Sequence, residues 1–148
     1  MLKKEILFSI IRGLFEADGC LYFSHSKKLR YPSYPRLEIK SSSVVLVNQI
    51  KEFLEKEGFN VYVKRPVSNK TFALLISGDK MLTLWIKKVG LTSLKNITKY
   101  NLWKSKGFYT PHTPLKMRLE TCGGGTAATA VDFSKDKIFE KAEPADCI

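Results

Sequence analysis

The chain is poor in cysteine, histidine and acid, and each shortage excludes something. Three cysteines in 148 residues, Cys20, Cys122 and Cys147, are odd in number and lack metal-ligand spacing, so neither a disulfide framework nor a zinc site is implied. A reducing, intracellular compartment fits them. The two histidines, His25 and His112, are isolated and read as structural. No apolar run is long enough to span a bilayer, so no membrane association is expected. Lys3 and Lys4 ahead of an apolar stretch imitate a secretory leader, but Arg12, Glu16 and Asp18 interrupt it with the periodicity of a one-faced helix.

What the chain does have is base. Residues 1–120 carry 22 lysines and arginines against nine acids, whereas residues 121–148 carry three against five. The basic part therefore points to a polyanionic partner, and 44% hydrophobic residues provide for a single packed core. We read residues 1–120 as one domain. Residues 121–148 open with Gly123-Gly124-Gly125 and small residues, and read as a flexible or weakly docked tail.

The most informative stretch runs from Ile11 to Gly19. Ile6, Leu7, Ile10, Ile11, Leu14 and Phe15 keep the spacing of one helical face, and Gly19 stops the helix. Gly13 and Ala17, four apart, make a small-residue stripe that suits close approach of a second backbone. Glu16 and Asp18 form a carboxylate pair at the negative end of the helix dipole, a placement that calls for a counter-charge, with a divalent metal one candidate.

Downstream, Cys20 to Ser26 alternates as a strand, 27–35 reads as a loop, and Arg36 to Ser42 as a second strand. Ser43 caps a helix from Val44 to Lys56 that stops at Gly58. Strands from Asn60 to Arg65 and Lys70 to Ser77 flank the turn Pro66-Val67-Ser68-Asn69. Asp79 caps a helix to about Val89, and Ser93 opens another from Leu94 to Ser105, each apolar on one side. Thr110 to Glu120, with two prolines, reads as a linker or an arm.

The stretch Ile11–Gly19 resembles the LAGLIDADG motif of homing endonucleases, with small residues at its third and seventh positions and the acid at its eighth. Arg12 stands where a small residue is usual, Phe15 replaces an aliphatic residue, and Glu16 replaces the first aspartate. The order α-β-β-α-β-β-α with one further helix agrees with that family, so the expected class is α+β, the αββαββα LAGLIDADG fold with an antiparallel DNA-binding β-saddle and an additional C-terminal helix.

The resemblance implies that Asp18 binds a divalent cation, Mg2+ or similar, through its side chain, with the Ala17 backbone carbonyl as a neighbouring ligand. Magnesium keeps several waters and takes one or two carboxylates plus the substrate phosphate, which fits a single acid of this kind. A second copy of the motif is not found, so a member of this type acts as a homodimer, its helices crossing at Ile10, Gly13, Leu14 and Ala17. A catalytic basic residue ahead of the last helix matches Lys95, with Lys99 the alternative. A glutamine frequent at the end of the second strand is replaced by Ser42 or Ser43.

Protein two-fold symmetry implies a long, partly palindromic double-stranded DNA target. Counting in twos from Asp18 puts Cys20, Tyr22, Ser24, Ser26 and Lys28 on the DNA face of the sheet, with Leu21 and Phe23 in the core. The same counting adds Arg36, Glu38, Lys40 and Ser42, then Tyr62 and Lys64, then Thr71 and Ala73. Arg36 and Lys40 suit guanine and Glu38 suits cytosine, whereas Lys28, Arg30, Arg65 and Lys70 suit phosphates. Equally, these residues can be the solvated side of a half-covered sheet. The expected activity is site-specific, magnesium-dependent double-strand cleavage of DNA. The alternatives are an RNA maturase that assists splicing and a DNA-binding regulator without nuclease activity.

Overall fold

The computed structural model describes residues 3–66 and 70–121; residues 67–69 of the expected turn and the tail from Cys122 onward lie outside the described residues. Helix α1 (Lys4–Asp18) runs directly into strand β1 (Gly19–Ser24), which is followed by β2 (Tyr34–Ser41) and helix α2 (Val44–Lys56). Strands β3 (Tyr62–Lys64) and β4 (Phe72–Ser77) come next, and then helices α3 (Asp79–Lys88), α4 (Leu94–Lys106) and α5 (Leu115–Thr121). This is the α-β-β-α-β-β-α order followed by two helices, the expected α4 and, beyond it, α5.

Local chemistry accounts for most boundaries. The Ser43 hydroxyl accepts the Leu46 N–H at 3.3 Å and the Ser93 hydroxyl accepts the Asn96 N–H at 3.3 Å, so both serines cap as expected. Asp79 does not cap α3. Gly78, at φ +105°, holds that position, and Asp79 lies one residue inside, where its charge still favours the positive end of the helix.

The four strands form one antiparallel sheet in the order β1-β2-β4-β3. β1 stops two residues before its expected end, because the Ser33 N–H bonds the Ser24 carbonyl at 3.1 Å and closes the hairpin there. β2 correspondingly begins at Tyr34 and tolerates Pro35. The Pro35 carbonyl accepts from the Gly78 N–H at 3.0 Å, so its donor-less nitrogen faces the same side, just past the end of β4. β3 is shorter than expected: the Asn60 N–H turns to the Met81 sulfur at 3.2 Å instead of the ladder.

One face of the sheet carries Leu21, Phe23, Leu37, Ile39, Leu74 and Ile76, all buried, against Ile11 and Phe15 of α1, Val47, Ile50 and Leu54 of α2, and Trp85 of α3. The Trp85 ring meets Phe15 edge-on at 5.2 Å. Glu57, after α2, gathers charge from two helices: Lys4 Nζ of α1 lies 2.8 Å from Oε1, and Lys88 Nζ of α3 donates to the Glu57 carbonyl at 2.6 Å.

The C-terminal part departs from expectation. Residues 115–121 form helix α5 rather than a linker, and its Arg118 is fully buried. The Arg118 guanidinium donates to Thr98 Oγ1 at 2.9 Å, to the Tyr109 hydroxyl at 3.3 Å and to the Thr113 carbonyl. With α5 covering it, α4 is buried along Asn96–Leu102 on all sides, polar residues included, and is not the one-sided helix its pattern suggests.

Candidate functional site

Helix α1 divides its circumference among three tasks. Ile11 and Phe15 face the core; Ile6, Ile10, Gly13 and Ala17 lie along an exposed stripe with Leu14 half-buried at its margin. A Cβ built on Gly13 meets nothing within 4 Å. The third task falls to Arg12 and Glu16. Arg12 Nη1 donates to the Val89 carbonyl at 3.3 Å, while the Glu16 carboxylate accepts the Thr92 N–H at 2.8 Å and the Asn96 Nδ2 at 2.9 Å.

This pairing corrects the expectation of a carboxylate pair sharing one cation. At 3.6 residues per turn, side chains two apart point to roughly opposite sides of a helix. Glu16 finds its counter-charge in the N-terminal end of α4, where an anion is favourable. Asp18 is exposed at the end of α1. Among the described residues no group of three or more His, Cys, Asp or Glu side chains converges. The exposed Asp18 carboxylate and the neighbouring Ala17 carbonyl are oxygen donors of the kind that suits a hard divalent ion.

Gly19, between Asp18 and the sheet, is required by space and not by conformation. Its φ of −99° is open to any residue, but a Cβ would lie 2.6 Å from the Glu38 carbonyl oxygen and 2.7 Å from that of Phe15. The close approach fixes where α1 ends relative to β1 and β2.

Of the residues that counting in twos assigned to the sheet face opposite the helices, those within the strands share one face, while Ser26, Lys28, Ser42 and Thr71 lie outside the strands. The registers align Cys20 with Glu38, Leu75 and Tyr62; Tyr22 with Arg36 and Ser77; Ser24 with Tyr34; and Lys40 with Ala73 and Lys64. Arg36 lies across three strands. Its Nε donates to Ser24 Oγ at 3.0 Å and its Nη1 to Ser77 Oγ at 3.3 Å, with the guanidinium 5.4 Å from the Tyr34 ring centre. Lys40 pairs with Glu38 at 3.1 Å on the same strand face. Burial pushes the Tyr22 phenol above its ordinary value, and the Glu38 carboxylate adds to this, so Tyr22 stays a neutral donor at physiological pH. Cys20 shares the face but is buried.

Ser26, Lys28 and Arg30 belong to the loop that joins β1 and β2, and the two cations are exposed. Ser42 lies just past β2, Arg65 just past β3, and Lys70 and Thr71 just before β4; Ser42, Arg65 and Lys70 are exposed. The two candidate lysines of α4 differ sharply. Lys95 is half-buried on the first turn, beside Asn96, whereas Lys99 is buried with its Nζ 3.3 Å from the Leu21 carbonyl. A cleft of about 400 Å3 lined in part by Leu29, Tyr34, Trp103 and Lys104 meets this constellation only at Tyr34.

Sequence reasoning missed the roles of Arg12, Glu16 and Arg118. The acid at a helix C-terminus signalled Glu16; nothing periodic signalled Arg118.

Comparison with known proteins bears on the fold. A family model described as a LAGLIDADG-like domain matches residues 5–90. No curated protein matches the chain. Among solved structures, the homing endonuclease I-CvuI, in complex with its target in the presence of calcium, superposes with a TM-score of 0.51 at 14% identity over 81% of this chain and 96% of its own. The homing endonuclease I-TnaI gives 0.50 at 17% identity, over 82% and 98%. The LAGLIDADG meganuclease I-AabMI, bound to uncleaved DNA, gives 0.50 at 20% identity over 72% of this chain and 36% of its own length. These likenesses show the LAGLIDADG homing-endonuclease fold. No helix of the described residues is long and apolar enough to cross a membrane.

Proposed function

Since the chain belongs to the LAGLIDADG-like domain family, we propose that it is a site-specific double-strand DNA endonuclease acting as a homodimer with a divalent cation, Mg2+ in the simplest case. One observation carries this reading above the others. The exposed stripe of Ile6, Ile10, Gly13 and Ala17 leads to the exposed Asp18, next to a sheet face of Tyr22, Arg36, Lys40 and Lys64. Two copies packed along that stripe bring two Asp18 carboxylates to one axis and join two sheet faces into a longer surface.

In this reading Asp18 and the Ala17 carbonyl hold the cation. A bound divalent ion would supply charge stabilisation at phosphate and a water of lowered pKa. The chain's own residues do the rest. Lys95, rather than the buried Lys99, offers its ammonium to the phosphate undergoing cleavage. Arg36, pre-set by Ser24 and Ser77, and Lys40 with Glu38 meet base edges in the major groove. Lys28, Arg30, Arg65 and Lys70 meet phosphates, with Tyr22, Ser24, Ser26, Ser42, Tyr62, Lys64 and Thr71 completing the surface. An intracellular location, and residues 1–120 as the working domain with 121–148 as its tail, belong to the same proposal.

Cleavage of a randomised plasmid library with Mg2+, followed by sequencing of the ends, tests it. Wild type is expected to cut at one long, partly palindromic site, and Asp18→Asn to bind that site without cutting. Equal cutting by both proteins overturns the assignment of Asp18; binding of duplex DNA or structured RNA with no cutting by wild type overturns the endonuclease reading.

A further inference from the structure

We propose that Arg12 and Glu16 form a latch that positions Lys95 against the Asp18 end of α1, making them positioning residues for strand cleavage; this rests on the endonuclease reading above. Neither residue faces the sheet surface that meets DNA in that reading. Both instead grip residues 89–96, the connection between α3 and α4 together with the first turn of α4.

The grip is matched in charge at each end. Val89 closes α3, so its carbonyl lies at the negative end of that helix, and the Arg12 guanidinium bonds it at 3.3 Å. Thr92 and Asn96 lie at the positive end of α4, and the Glu16 carboxylate takes one hydrogen bond from each, at 2.8 and 2.9 Å. Arg12 and Glu16 are one helical turn apart on the same flank of α1, so a single rigid rod carries both contacts. Between them the connection is pinned from the core side by buried Leu91.

Lys95 is the neighbour of Asn96, and Asp18 is two residues from Glu16. The Glu16 carboxylate therefore ties the end of α1 that carries Asp18 to the turn of α4 that carries Lys95. A displacement of about 1 Å at a reacting group is enough to cost on the order of 100-fold in rate. Arg12, which departs from the small residue usual at its position, has a use in this arrangement: it fixes the far end of the same connection.

The test is a cycle on the single-turnover cleavage rate. Glu16→Gln keeps one acceptor but loses the charge, and Glu16→Ala loses both. We expect losses of about 10-fold and about 100-fold, with DNA affinity within twofold of wild type. In a Lys95→Ala background, Glu16→Gln is expected to cost nothing further. An equal loss in both backgrounds, or a loss expressed in affinity, overturns the proposal. A second measurement does not depend on catalysis: amide hydrogen exchange in Glu16→Ala is expected to speed up at Thr92 and Asn96 while Leu74 and Ile76 stay protected. Unchanged protection at Thr92 and Asn96 overturns the latch even if the wild type never cuts DNA, and absence of cutting by wild type with faster exchange refutes the endonuclease reading alone.

Discussion

Gly13 in α1 and Gly19 at its exit, six residues apart, invite opposite outcomes for the same substitution. Gly19→Ala places a methyl 2.6 Å from the Glu38 carbonyl oxygen, 2.6 Å from Phe15 Cδ2 and 2.7 Å from the Phe15 carbonyl oxygen. The ring can move. The two oxygens cannot, since Phe15 O accepts the Gly19 N–H that ends α1 and Glu38 lies in the centre of a paired strand. The backbone at Gly19 is already extended, so none of the cost is conformational. Overpacking against fixed atoms costs about 1–3 kcal/mol, and this site belongs at about 3. For a domain of this size that corresponds to a fall in Tm of roughly 10–20 °C. Gly13→Ala meets nothing within 4 Å and removes the helix penalty of glycine, about 0.5–1 kcal/mol, so in dilute, monomeric protein Tm should rise by a few degrees. The same methyl thickens the exposed stripe and should weaken self-association in sedimentation. Thermal unfolding followed by circular dichroism gives both values. A Gly19→Ala protein within 1 kcal/mol of wild type, or a Gly13→Ala protein less stable than wild type when monomeric, refutes the reasoning.

Other expectations are independent of this pair. Arg118→Met deprives the Tyr109 hydroxyl and the Thr113 carbonyl of a donor and should lower the unfolding free energy in urea by about 3 kcal/mol; a loss below 1 kcal/mol would show that α5 does not depend on the guanidinium. The hydrogen bond from Lys4 holds the Glu57 carboxyl below its ordinary value of 4.5. Its contribution is therefore complete above about that pH and is lost as pH falls through the lower folded value. Urea midpoints of wild type and Glu57→Gln should differ at pH 6 and draw together as the medium is acidified below the folded value, and a constant difference would exclude the ion pair. Arg36→Ala should relax discrimination at one base pair by about 1–3 kcal/mol in binding to singly substituted targets, whereas a uniform loss over all targets would make it a phosphate contact.

The parts that were legible from sequence are those where a local cause acts alone. Ser43 and Ser93 marked helix starts because a hydroxyl satisfies an N–H three residues on, whatever lies beyond. The strand alternation placed Tyr22, Arg36, Glu38, Lys40, Tyr62 and Lys64 on one face, since the period of two survives any register. Illegible were the polar contacts between distant segments. Glu16 reaches residues 92 and 96, and Arg118 reaches Thr98, through bonds that leave no periodic mark. The burial of Lys99 follows from the same cause: a helix covered on both sides needs a neighbour that the pattern of α4 does not announce.

The division of labour around α1 has an engineering consequence. The outward row shares no side chain with the inward row or with the polar flank. In the homodimer proposed above, pairing preference could therefore be rewritten at Ile6 and Ile10, with an acid in one version and a base in the other, without disturbing the interior or the contacts to residues 89–96. Mixing two such versions would then favour a mismatched couple whose halves recognise unrelated half-sites, freeing the proposed enzyme from palindromes.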